Sequence, residues 1–190
     1  FFLIPLILFY LSNKIPKKYL NTCFFILCLI IAQGLMGWYM VKSGLSHNVT
    51  VSHYRLSIHL IFALIIISSI FWLLKNIQQK KDKSFFELKK SNLPYQMLLV
   101  FIFIQIMFGA FVSGLDAGMI YQTWPMMGDS FIPDDVKIYN FEIFSNLSNH
   151  SIVQFYHRNL AYFIIFYVLL LTMFIFKKKI SIFINLQKFY

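Results

Sequence analysis

Residues Ile152–Phe176 read IVQFYHRNLAYFIIFYVLLLTMFIF. A helix crosses a bilayer in about 20 predominantly apolar residues, and this run is long enough. Its strongly ionisable side chains, His157 and Arg158, sit together near one end. Such groups are costly at membrane depth, so they pair, face a cavity or bind something.

Three more runs of spanning length precede it: Tyr19–Val41, Tyr54–Leu74 and Pro94–Gly114. Phe1–Leu11 is half a span. The sequence therefore predicts an all-α, polytopic transmembrane helix bundle with four complete spans and a partial N-terminal one. A chain that is 59% hydrophobic and 13% charged agrees with that class. Its net charge of +10 does not indicate nucleic acid, because the cations lie in short loops between apolar runs. Cys23 and Cys28 fall on different faces of one predicted helix, lack metal-site spacing, and read as packing or lipid-facing residues. The first run lacks the basic lead and small-residue cleavage site of a signal peptide. The chain starts inside an apolar run and stops soon after another begins at Ile180, so it is expected to be part of a longer membrane protein.

Orientation follows from the cations. Thirteen of the 17 share one side: Lys14, Lys17 and Lys18; Lys75, Lys80, Lys81, Lys83, Lys89 and Lys90; Lys177, Lys178, Lys179 and Lys188. The other side holds Lys42, Arg55, Lys137 and Arg158, with the acids Asp116, Asp129, Asp134, Asp135 and Glu142. The basic side is expected in the cytoplasm of a bacterium, or facing the matrix in a mitochondrion. Arg55 and His59, like His157 and Arg158, then lie near the outer, periplasmic side.

A repeat supports that symmetry. Gln33 precedes Gly37 by four residues and Ser43-Gly44-Leu45 follows; Gln105 precedes Gly109 by four and Ser113-Gly114-Leu115 follows. Each segment leads through an outer loop to a helix bearing Arg and His, a parallel repeat. The glycines allow close helix approach, and the glutamines can bond across the bundle. An iron porphyrin asks for an axial imidazole, an apolar slot and cations near its carboxylates. His59 and His157 supply the first, the Phe- and Met-rich helices the second, Arg55 and Arg158 the third. Arg55 and His59 share a helix face, about 6 Å apart along the axis. His157 and Arg158 point about 100° apart. The bland reading is that each Arg snorkels to the surface and each His bonds nearby backbone.

His47, His53 and His150 read as solvated surface residues. Asn48-Val49-Thr50, Asn146-Leu147-Ser148 and Asn149-His150-Ser151 match glycosylation triplets, which matter only in a secretory pathway. The long outer loop, Leu115–Ser151, shows no internal structure of its own. Tyr121, Trp124, Pro125, Phe131 and Pro133 suggest a lid on the membrane surface, and the competing reading is an interfacial aromatic anchor.

Several segments together resemble heme A synthases. They are Gly34-Leu35-Met36-Gly37-Trp38-Tyr39-Met40-Val41-Lys42-Ser43-Gly44-Leu45, Val51-Ser52-His53-Tyr54-Arg55-Leu56-Ser57-Ile58-His59-Leu60, Gly114-Leu115-Asp116-Ala117-Gly118, Tyr121-Gln122-Thr123-Trp124-Pro125-Met126-Met127-Gly128 and Val153-Gln154-Phe155-Tyr156-His157-Arg158. The match runs from about Gly34 to Phe176 and is closest to the mitochondrial and proteobacterial type, which lacks an outer-loop cysteine pair.

The resemblance implies an eight-helix membrane oxidoreductase of two four-helix halves that converts a methyl group of heme O to the formyl group of heme A, for cytochrome oxidase. Residues 1–92 would belong to the N-terminal half, on the substrate-heme side. Residues 93–190, with the outer loop 115–151, would belong to the C-terminal half, on the heme b side. His59 and His157 match one axial ligand in each half, with Arg55 and Arg158 as further cofactor-binding residues. The other axial histidines and the family's outer-side Glu match no position in this chain, so no catalytic residue is assigned and the chain by itself is expected to be inactive. Implied partners are the lipid bilayer, heme O, heme O synthase and cytochrome oxidase assembly factors, with room for a homo-oligomer. Two other classes remain: a non-catalytic diheme b-type cytochrome subunit passing electrons to a partner, and a parallel-repeat transporter for an anionic substrate. The Asp116-Ala117-Gly118 and Thr123-Trp124-Pro125 segments speak against the cytochrome.

Overall fold

A computed structural model of the chain describes residues 1–44, 51–79, 92–136 and 145–187. His47, the Asn48 triplet, Glu142, Lys137, Lys188 and the cations from Lys80 to Lys90 lie outside the described residues. The described residues form five α-helices and no named strand. They are α1 (Leu3–Leu11), α2 (Lys17–Gly44), α3 (His53–Gln79), α4 (Leu93–Gly114) and α5 (His150–Gln187). The last four are long and apolar enough to cross a membrane, as the sequence predicts. α2, α3 and α5 run past their apolar runs, because flanking Lys, Gln and Asn continue backbone hydrogen bonding in the polar boundary at little cost. The chain divides into two compact units, Phe1–Glu87 and Leu88–Tyr190.

In the first unit, α2 and α3 pack as an antiparallel pair. The Tyr19 hydroxyl, early in α2, donates to the Asn76 carbonyl late in α3 at 3.3 Å. Around it, Leu6, Tyr19, Cys23, Ile26 and Leu73 form an apolar cluster that holds α1 against the pair. Asn13 closes α1 in the left-handed region (φ 51°), which Asn tolerates better than most residues. Cys23 is buried and Cys28 exposed, so the two thiols do lie on different faces.

The second unit repeats the arrangement. Tyr167, midway along α5, donates to the carbonyl of Pro94 at the start of α4 at 2.9 Å. Pro94 suits that place, since the first helical turn has no partner for its missing N–H. Phe101 meets Phe163 and Tyr167 edge to face, with ring centroids 5.1 and 5.4 Å apart. Large apolar side chains such as Ile165, Phe166, Leu169 and Phe174 face outward, as a lipid-facing surface requires. α5 begins at an Asn149 cap: its Oδ1 accepts from the Ile152 N–H at 3.1 Å. Asn146 Oδ1 likewise accepts from the Ser148 N–H at 3.0 Å. Both outer asparagine side chains thus serve local backbone.

The outer loop corrects the sequence expectation. Within Leu115–Val136 it has its own structure, which pattern reading missed because turns carry no periodicity. Asp116 adopts the left-handed region (φ 52°), and a 3-10 turn follows at Ala117–Met119. The Trp124–Pro125 peptide is cis. Met127 and Ser130 form an antiparallel bridge, with the Met127 N–H donating to the Ser130 carbonyl at 2.8 Å. Ala117, Met127, Pro133 and Val136 are buried, as are Ile152 and Val153 at the start of α5. The loop is a small cap with its own interior.

Candidate functional site

The two histidines singled out by the sequence sit in matching settings. In the first unit, the Gln33 side-chain nitrogen on α2 lies 3.1 Å from His59 Nε2 on α3. In the second, the Gln105 side-chain nitrogen on α4 lies 3.1 Å from His157 Nδ1 and 3.4 Å from its Nε2, and also donates to the His157 carbonyl at 3.1 Å. Four residues after each Gln, on the same helix face, a glycine makes room for the ring. A Cβ at position 37 would lie 3.3 Å from His59 Cε1, and one at 109 would lie 3.2 Å from His157 Cε1. Each imidazole therefore occupies a slot built by a Gln and a Gly of the preceding helix.

Polar atoms in these slots are not all satisfied. Gln33 Oε1, His59 Nδ1 and Gln105 Oε1 are buried with no hydrogen-bond partner among the described residues. Buried polar atoms are nearly always hydrogen-bonded, so these atoms mark places that accept a further polar partner. The bland expectation that each His bonds nearby backbone does not hold for His59, whose partner is a side chain 26 residues away.

The arginines do different work. Arg55 donates to the Ser43 hydroxyl, which in turn donates to the Tyr39 carbonyl, and the guanidinium lies 4.8 Å from the centre of the Tyr39 ring. It is shared between α2 and α3 and does not simply snorkel. Arg158 points away from His157, as its position predicts, and donates to the Thr123 carbonyl of the outer cap. Its Nη1 is buried with no partner among the described residues. A guanidinium N–H so placed suits a carboxylate.

Other residues emerged that the sequence did not single out. Gln154, only 6% exposed, donates to the Tyr121 carbonyl at 2.9 Å and the Gly118 carbonyl at 3.5 Å. Asp135 accepts from the Tyr121 hydroxyl and the Ser151 hydroxyl, both at 2.7 Å. Through Ser151, Gln154 and Arg158, the first turns of α5 hold the cap beside the helix that carries His157. Three polar residues spaced three and four apart on one apolar helix were the available signal. Burial, followed by the Asp135 carboxylate, pushes the Tyr121 phenol above its ordinary value of 10.0. His53 corrects the expectation of a solvated residue: it is buried, with its ring 4.1 Å from that of Tyr54. His150 is exposed, as expected.

Among the described residues, no three His, Cys, Asp or Glu side chains gather to hold a bare metal ion. A porphyrin brings four nitrogens of its own and asks the protein for one or two axial donors. One imidazole in each glycine-opened slot fits that demand.

Residues 1–188 match the sequence pattern of the COX15-CtaA family, described as cytochrome oxidase assembly protein. The chain is 45% identical to the heme A synthase of Pelagibacter ubique over 179 residues, covering 94% of this chain and 52% of that protein. It is 39% identical to that of Rickettsia felis over 178 residues, 90% and 51% of the two chains. It is 40% identical to that of Wolbachia pipientis wMel over 172 residues, 90% and 49%. The chain spans about half the length of these curated relatives. No solved structure matches it. With four helices able to span a bilayer and a family match along nearly all its length, the chain is an integral membrane protein and belongs to the cytochrome oxidase assembly protein family.

Proposed function

We propose that this chain forms part of a heme A synthase, a membrane oxidoreductase that converts a methyl group of heme O to the formyl group of heme A. The observation that carries the reading is the twofold occurrence of one slot, Gln33–Gly37–His59 and Gln105–Gly109–His157, on paired helices. Relatives named heme A synthase, at up to 45% identity, support it.

His59 would hold the iron of the substrate heme in the first half, and His157 that of a heme b in the second. When bound, the heme b supplies one-electron redox chemistry. The chain's own residues orient and seclude. Gln33 and Gln105 fix the imidazoles, Gly37 and Gly109 admit them, and Arg158 Nη1 offers an N–H to a carboxylate. The cap, tied down by Ser151, Gln154 and Arg158, limits water at the outer edge of the second half. Both histidines face the outer side of the membrane, because most cations flank the opposite helix ends.

Pigment extracted from membranes expressing the full gene product tests this. Heme A in the extract, formed at the expense of heme O, is the expected result. Heme b alone would leave a cytochrome that only passes electrons, and no pigment would favour a transporter.

A further inference from the structure

We propose that the cation-rich end of the first unit holds an anionic phospholipid, with its acyl chain in a cavity between α1, α2 and α3 and its phosphate beside Lys14 and Lys17. A cavity of about 690 Å³ lies there, lined by Leu6 and Phe9 of α1, Tyr19 and Cys23 of α2, and Ile77 of α3, with Lys14 also in its wall. That size falls within the range of about 300–1,000 Å³ usual for ligand pockets. The Tyr19 hydroxyl is already spent on the Asn76 carbonyl at 3.3 Å, so the wall offers an occupant mostly hydrocarbon. Phe9 and Ile77 are half exposed, so the cavity is open to the surrounding bilayer. An apolar slot that opens to lipid suits an acyl chain better than a polar metabolite.

The charges select the head group. Lys14 follows Asn13 in its left-handed turn, and its N–H donates to the Phe9 carbonyl at 2.9 Å, so backbone contacts seat it beside the cavity. Lys17 opens α2 three residues on, and the start of a helix favours phosphate. Residues 1–81 contain no Asp or Glu, so the helices that build the cavity offer these lysines no carboxylate. Lys18 adds charge, although its ammonium lies over the Tyr19 ring at 4.7 Å. Basic pockets between membrane helices bind anionic lipid head groups by this combination. A zwitterionic lipid would fill the slot without neutralising the cations. The site lies at the far end of α3 from His59 and rests on neither the heme nor the proposed reaction.

The test uses the full gene product in detergent micelles, followed by native mass spectrometry after addition of phosphatidylglycerol or phosphatidylcholine. Wild type is expected to retain phosphatidylglycerol in preference to phosphatidylcholine. Lys14→Gln and Lys17→Gln are each expected to lower that preference about fivefold. Both lysines are exposed, so their replacement leaves the fold intact. Lys42→Gln, at the opposite end of α2, is expected to keep the wild-type preference. A phosphatidylglycerol with a photoreactive acyl chain is expected to label residues 5–23. Equal retention of the two lipids overturns the proposal. So does an equal loss in Lys42→Gln, which would show only diffuse surface charge. Labelling confined to other segments would show the cavity filled by protein and likewise overturns it. Complete displacement of the lipid by inorganic phosphate overturns the lipid in favour of a free anion, because the acyl chain would then contribute nothing.

Discussion

Gly109 faces the ring of His157 so closely that a Cβ there would lie 3.2 Å from Cε1, and Gly37 stands in the same relation to His59 at 3.3 Å. The glycines are thus part of the imidazole slots, beyond any general easing of helix contact. Glycine inside a helix costs about 0.5–1 kcal/mol relative to alanine. Retaining it at both positions is consistent with room for the ring mattering more than helix propensity.

Gly109→Ala gains that propensity but crowds the ring, and overpacking costs about 1–3 kcal/mol. The two largely offset, so helix content and membrane insertion should stay near wild type. Heme retained in the second half after detergent washing should fall. Circular dichroism and the heme-to-protein ratio check the two halves of this expectation. Equal heme retention would remove the glycine from the site.

Gly128 stands in the left-handed region (φ +84°), and a Cβ there would collide with Asp134 Oδ2 at 1.7 Å. Gly128→Ala therefore pays backbone strain of about 1–3 kcal/mol and also displaces the Asp134 carboxylate from the Asp129 N–H. The cap should loosen while the helices remain. Amide hydrogen exchange over residues 127–136 should accelerate, with α4 unaffected.

The Tyr121 phenol is raised by burial first and by Asp135 second. A group raised on folding stabilises the fold below its unfolded value and loses that contribution as pH passes its folded one. The Tyr121–Asp135 tie should therefore hold throughout neutral pH and give way only above pH 10.0, the ordinary phenol value. Tyrosinate absorbance should show a late-titrating phenol that is missing in Tyr121→Phe. Asp135→Asn should bring it only partly back, because burial is the larger cause.

Arg158→Met keeps much of the side chain's bulk but removes the donor to Thr123. The cap should detach from α5 more often, seen as faster hydrogen exchange at residues 121–126. The His157 slot should persist, because Gln105 and Gly109 hold it from α4.

The spanning helices were legible because bilayer thickness imposes a length of apolar sequence that no loop matches. Gln33 with Gly37 and Gln105 with Gly109 were legible as a repeat, since four-residue spacing puts each pair on one helix face. The outer cap was not, because its order rests on Asp116 and Gly128 in left-handed conformations and on Asp135 bridging Tyr121 and Ser151. Those contacts join residues without periodicity. The partners of Arg55 and Arg158 were equally hidden: a cation near a membrane surface can snorkel, stack or bond a carbonyl, and only the fold selects Ser43, Tyr39 and Thr123. His53 is the first residue of α3, and at a helix end pattern does not reveal burial.

The most direct measurement is the heme content and low-spin signature of the full gene product in wild type, His59→Ala and His157→Ala. The account predicts that each substitution removes the signal of its own half and leaves the other in place. Two variants that both keep wild-type heme content and spectra would contradict iron ligation by these imidazoles.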